Sequence, residues 1–171
     1  MARRFPQDPT DIFAALNAGR VKYLVVGGVA AILHGFIRTT NDVDVAVELE
    51  IGNLQRLERT MAKAGFAPRI PDPVTGLADP KTRDLWTRRR NMQVFSYTET
   101  KKPFRVVDVM VRPMADFERR YAQRMQAVRR GVRIPVLPID ALIRMKRLAG
   151  RPQDLEDVAY LEAIRRRSRQ Q

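Results

Sequence analysis

Asp42 and Asp44 stand two residues apart in the run Asp42-Val43-Asp44-Val45, which a spacer of thirteen residues separates from the pair Gly27-Gly28. On a strand that spacing sends both carboxylates out of one face, roughly 6.6 Å apart along the chain. Such a pair can hold two hard divalent cations about 3.5–4 Å apart. Magnesium favours oxygen ligands of this kind and shares them with substrate phosphates; manganese accepts the same donors. Two glycines after an apolar run let the backbone turn sharply and approach a ligand closely. The N–H groups opening the following helix suit a phosphate. A third carboxylate would complete a two-metal site. Asp108 lies within the otherwise apolar run Val106-Val107-Asp108-Val109-Met110-Val111. An acid in that setting must be paired, protonated or bound to metal. Pairing with Arg105 or Arg112 is the alternative to a metal role. Val107 and Val109 should face the core and Asp108 the opposite side.

These residues need a frame. Residues 10–18 read as a short helix capped by Thr10, with Ile12, Phe13 and Leu16 on one face and Gly19 at its end. Residues 21–26 read as a buried strand, residues 29–34 as a short helix stopped at Gly35, and residues 43–47 as a strand. Residues 51–64 form an amphipathic helix through Leu54, Leu57 and Met61. Residues 68–80 hold four prolines and one glycine and read as a loop. Residues 91–98 and 105–111 read as a hairpin around Lys101-Lys102-Pro103. Residues 115–128 are expected as a helix and 132–137 as a short extended piece. A helix capped by Asp140 should run to Ala149, and a last helix should cover 153–165, with the end of the chain frayed. The expected fold class is α/β (α+β): a mixed β-sheet with helices on one side and a helical C-terminal part. The core would be residues 1–112 and the helical part 113–171, packed as one unit.

The chain has 171 residues and no cysteine, which excludes disulfides and thiolate-metal sites. Its longest apolar stretch, residues 23–36, is too short to span a bilayer. No apolar run follows Arg3 and Arg4, so no signal peptide is expected; the expectation is a cytoplasmic protein without a membrane partner. The formal charge is +13, all of it in the second half: residues 1–80 carry 9 Lys+Arg and 9 Asp+Glu, residues 81–171 carry 23 and 10. That asymmetry suits a polyanionic partner, RNA or tRNA first, although a solvated arginine-rich surface would look the same.

The Gly27-Gly28 and Asp42-Val43-Asp44-Val45 motif, with Asp108 on a later strand, resembles the nucleotidyltransferase superfamily of DNA polymerase beta. The segment Lys146 to Asp157 is similar to the helix-break-helix of AbiEii-type nucleotidyltransferase toxins and their minimal bacterial relatives. The resemblance implies a nucleotidyltransferase fold and transfer of a nucleoside monophosphate from an NTP, ATP among them, by two Mg2+ ions. It implies that Asp42 and Asp44 bind both metals, and that Asp108 binds the catalytic one and helps deprotonate the attacking hydroxyl. Gly27, Gly28, Arg38, Thr40, Lys146 and Arg151 become the nucleotide-binding set. Asp154 becomes a residue that orients Arg151 or Lys146. Gln153 replaces the lysine usual in those relatives.

Three functions are compatible with these features. The first is transfer to RNA or tRNA, with a toxin-antitoxin or abortive-infection role and a cognate antitoxin as partner. The second is AMP transfer to a partner protein, and the third is a catalytically weak nucleotide- or RNA-binding module. Antibiotics are poor acceptors by the charge, because a cationic aminoglycoside would not seek a protein of charge +13. Trp86 with Arg88, Arg89 and Arg90 could stack on a base and grip phosphates, or anchor a loop. His34, the one histidine, is read as a structural side chain bonded to a carbonyl.

Overall fold

The computed structural model describes residues 8–40, 42–102, 105–168 and 170. The N-terminal residues before 8 and Pro103 of the expected turn lie outside the described residues. The elements in chain order are α1 (Thr10–Ala18), β1 (Tyr23–Val25), α2 (Gly27–His34), β2 (Asp42–Val47), α3 (Ile51–Lys63) and β3 (Phe66–Pro68). Next come a 3-10 turn (Val74–Ala78), α4 (Pro80–Arg89), β4 (Val94–Glu99), β5 (Val106–Met110) and α5 (Phe117–Ala122). The chain ends with β6 (Met125–Arg129), β7 (Val132–Val136), α6 (Ile139–Ala149) and α7 (Pro152–Ser168). Among the described residues no helix is long and apolar enough to cross a membrane.

The seven strands form one mixed sheet in the order β3-β4-β5-β2-β1-β7-β6. The β2–β5 and β1–β7 pairs are parallel and the others antiparallel. One face carries Val43, Val45, Val107, Val109, Phe95 and Tyr97, all buried. Against it pack α1, α3 and α4, whose Trp86 ring lies 5.9 Å from that of Phe95. The other face carries Asp42, Asp44, Asp108 and Ser96; α2 packs on β2 at this side, and α6 and α7 pack on α2. Helices thus flank both faces, where one helical side was expected.

Asn53 ties α3 to the sheet. It is fully buried, accepts from the Lys22 N–H at 2.8 Å and donates to the carbonyls of Lys22 and Glu48 at 3.0 and 2.9 Å. It thereby partners the Lys22 N–H and the Glu48 carbonyl at the strand ends and adds a second donor to the Lys22 carbonyl, which already accepts from the Glu48 N–H at 3.2 Å.

Three expectations fail locally. Residues 115–128 hold the short helix α5 and then strand β6. Arg130 and Gly131 both have positive φ, 47° and 78°, the two-residue turn that joins twisted antiparallel strands. The alternation in Met125-Gln126-Ala127-Val128 is therefore strand periodicity, and residues beyond 113 contribute two strands to the sheet. Second, the proline-rich stretch is ordered into the 3-10 turn, and α4 starts at its last proline. Asp79 caps α4 by accepting from the Lys81 and Thr82 N–H groups at 3.3 and 3.0 Å, and Pro80 occupies the first turn, where its missing N–H does no harm. Third, the helix caps shift. Pro9 rather than Thr10 precedes α1, and Pro138 precedes α6, leaving Asp140 in the first turn, where it pairs with Arg165 at 2.7 Å.

Candidate active site

Strands β2 and β5 place the acids. Their parallel register sets Asp44 opposite Asp108 and Asp42 opposite Val106. Neighbouring strands lie about 4.8 Å apart, so the Asp44 and Asp108 side chains rise next to each other on one face. Asp42 rises on the same face one pleat away and is exposed. On β4, Ser96 is opposite Asp108 and donates to its Oδ1 at 2.6 Å.

The glycine turn serves this acid pair directly. Gly27 has φ +63°, and a Cβ built there would lie 2.7 Å from the Asp44 Cγ. Only a glycine lets the Asp44 carboxylate lie against that backbone. The Gly28 N–H, expected to meet a phosphate, donates to Asp44 instead. A Cβ at Gly28 would lie 3.0 Å from the Thr40 Oγ1, so Thr40 is packed on the turn.

The electrostatics are those of crowded acids. Burial, then the charges of Asp108 and Asp42, push the Asp44 pKa up to about 6, against the pull of Lys146 and the Gly28 N–H. Asp108 is also raised, chiefly by burial, with Asp42 adding repulsion; the Ser96 hydroxyl and Arg69 oppose the shift.

The C-terminal helices bring a buried ionic cluster to the flank of Asp44. Lys146, expected to bind the nucleotide, is 5 % exposed. Its Nζ lies 2.6 Å from the Asp157 Oδ2 and 3.4 Å from the Asp154 Oδ1. Asp157 also accepts from Arg38, which reaches across from the loop between α2 and β2. Arg151 is exposed and donates from Nε to the Asp154 Oδ2 at 2.6 Å. Asp154 therefore sits between Lys146 and Arg151. Asp157 is the hub of the cluster, yet the sequence marked it only as one acid of a motif.

Other expected residues fall elsewhere. Trp86 is a core side chain, 2 % exposed, and cannot offer its ring to a base. Arg88 pairs with Asp84 at 2.6 Å and Arg90 with Asp72 at 2.7 Å. His34 Nε2 meets the Leu137 carbonyl at 2.8 Å, and burial lowers its pKa. Two residues near the acids carried no sequence signal, Ser96 and Arg69. Each is placed by strand register, which local pattern does not encode.

The donor set fits magnesium. Among the described residues no three His, Cys, Asp or Glu side chains form a ready-made metal cage. Magnesium, however, usually takes only one or two protein carboxylates and completes its shell with water and substrate phosphate. Asp44 and Asp108 supply such oxygens, and their mutual repulsion is what a dication would relieve.

No curated protein sequence matches the chain. Among solved structures it is similar to the lincosamide antibiotic adenylyltransferase LnuA bound to lincomycin, with 14 % identity, TM-score 0.58, and coverage of 90 % of this chain and 94 % of that one. It is similar to an antigenic nucleotidyltransferase-like protein from Paracoccidioides brasiliensis, with 16 % identity, TM-score 0.55, and coverage of 89 % and 72 %. It is also similar to ANT(2'')-Ia in complex with adenylyl-2''-tobramycin, with 16 % identity, TM-score 0.52, and coverage of 94 % and 95 %. At such identities the likeness speaks for the fold alone. A family model matches residues 10–167, nearly the whole described chain, and the protein belongs to that family, the nucleotidyltransferases of unknown function (DUF6036).

Proposed function

We propose that this nucleotidyltransferase transfers a nucleoside monophosphate from an NTP to a hydroxyl of RNA, with a divalent metal on Asp42, Asp44 and Asp108. The observation that carries the reading is the parallel β2–β5 register, which sets Asp44 beside Asp108 against a glycine turn that leaves room for nothing larger than hydrogen. Magnesium would neutralise charge on the reacting phosphate and the leaving group. In the reaction the acceptor oxygen bonds the α-phosphorus and the bond from that phosphorus to the bridging oxygen breaks. Pyrophosphate departs with the electron pair. The hydroxyl proton passes to the Asp108 carboxylate, acting as general base. Ser96 fixes one Asp108 oxygen and leaves the other for that proton.

On the opposite flank, Arg151 and the N-terminal end of α2 offer positive charge to the triphosphate. Arg38 and Lys146 act through Asp157 and Asp154 to hold that flank in place. The charge of +13 favours a polyanionic acceptor over the antibiotics named for LnuA and ANT(2'')-Ia. The test is incubation with each labelled NTP, magnesium and total RNA. Label in RNA, lost in Asp44→Asn, supports the reading. Label confined to protein points to the partner-modifying alternative, and no label in either refutes transfer.

A further inference from the structure

The cations around the acids differ in what they already hold. Lys146 is held between two aspartates, Arg38 is paired with Asp157 and Arg151 with Asp154. Arg69 is different. It leaves β3 at the edge of the open sheet face, its N–H donates to the Ser96 carbonyl at 3.0 Å, and its Nε donates to the Thr98 hydroxyl at 2.7 Å. Among the described residues no carboxylate lies within ion-pair distance of it. Thr98 and Ser96 are alternate residues of β4, so Thr98, Ser96 and Asp108 share one face, and Arg69 closes that polar row. Its guanidinium is thus oriented by a neutral partner, with donors left for an anion.

The row has a direction. The glycine turn follows β1 and lies on the β1 side of the acids, and Arg69 lies on the β4 side, beyond Asp108. Phosphoryl transfer keeps the attacking and leaving oxygens roughly in line. With pyrophosphate leaving toward the β1 side, the acceptor must approach from the side of Asp108 and Arg69. On the footing of the transfer reading above, we infer that Arg69 binds a backbone phosphate of the acceptor strand and so selects an oligonucleotide over a free nucleoside or a protein side chain.

The test uses the full chain, an RNA oligonucleotide, and a dinucleoside monophosphate set against a nucleoside as acceptors. In Arg69→Ala the acceptor KM for the dinucleoside monophosphate should rise about 10-fold or more. The preference over the nucleoside should vanish, and the log–log salt slope of RNA binding should fall by about one. Affinity for a fluorescent NTP with magnesium should stay within about twofold. Arg69→Lys should recover part of the affinity, since a point charge remains. Unchanged RNA affinity and salt slope in Arg69→Ala would overturn the inference while transfer to RNA by the wild type stood. An equal loss of NTP affinity would overturn it too, by placing Arg69 on the nucleotide. Label on protein would sink both readings. RNA binding that depends on Arg69, with no transfer to RNA by the wild type, would support the phosphate contact and overturn transfer alone.

Discussion

Asp44→Asn separates function from stability. The folded protein holds the Asp44 pKa at about 6, against an unfolded value of 3.8. The native state therefore binds this proton more tightly than the unfolded chain does. The stability it contributes is complete below about pH 3.8 and is lost as pH rises through 6. At pH 7.5 the ionised carboxylate consequently destabilises the metal-free fold, by a ceiling of about 3 kcal/mol at 1.36 kcal/mol per pH unit. Asparagine keeps the size and can still accept from the Gly28 N–H, but carries no charge toward Asp108 and Asp42. In EDTA at pH 7.5 the variant should be more stable by about 1–3 kcal/mol, or a melting temperature about 3–10 °C higher for a chain of this length. The gap should shrink to about a third at pH 4.5 and close only below about pH 3.8. Magnesium should raise the wild-type melting temperature and leave the variant nearly unmoved, while transfer falls by orders of magnitude. The assay is thermal melting in EDTA and in magnesium at both pH values. A variant that melts below the wild type at pH 7.5, or a gap that does not depend on pH, would refute the crowded-carboxylate account.

Other substitutions test the supports of the site. Gly27→Ala must move either the turn or the Asp44 carboxylate and also strains a positive φ, so transfer should collapse with a stability loss of about 1–3 kcal/mol in urea unfolding. Lys146→Ala leaves Asp154 and Asp157 buried and partly unpaired, so it should lose about 3–5 kcal/mol by the same measurement. Lys146→Ala that unfolds like the wild type would show the cluster to be solvated. Asn53→Ala removes the side-chain partner of the Lys22 N–H and the Glu48 carbonyl, while the Lys22 carbonyl keeps the Glu48 N–H, and should lose about 1–3 kcal/mol without changing the KM for NTP in a protein that remains folded.

The sequence by itself determined the elements whose pattern is local. Helix α1 is as expected because Ile12, Phe13 and Leu16 recur at helical spacing before a glycine, and α3 for the same reason. The alternation in Asp42-Val43-Asp44-Val45 likewise announced which residues face the core. The mixed sheet and the nucleotidyltransferase family were legible from the glycine pair, the spacer and the acids. Where two local signals competed, pattern misled. Met125 to Arg129 contains enough helix formers to read as helix, and only pairing with β7 across the Arg130-Gly131 turn makes it a strand. Trp86 beside three arginines looks like a surface device until Phe95, on the next strand, claims its ring.

What tertiary structure alone decided is who stands next to whom. Register puts Asp108 beside Asp44, Ser96 on Asp108, and Arg69 at the end of the row. Packing of α6 and α7 buries Lys146 among Asp154 and Asp157, on the same face of α6 as Leu142 and Ile143. The physical reason is that a residue's type and spacing fix its direction from its own element. Its charge state and its partners depend on the desolvation and neighbouring charges that other elements impose once they pack against it.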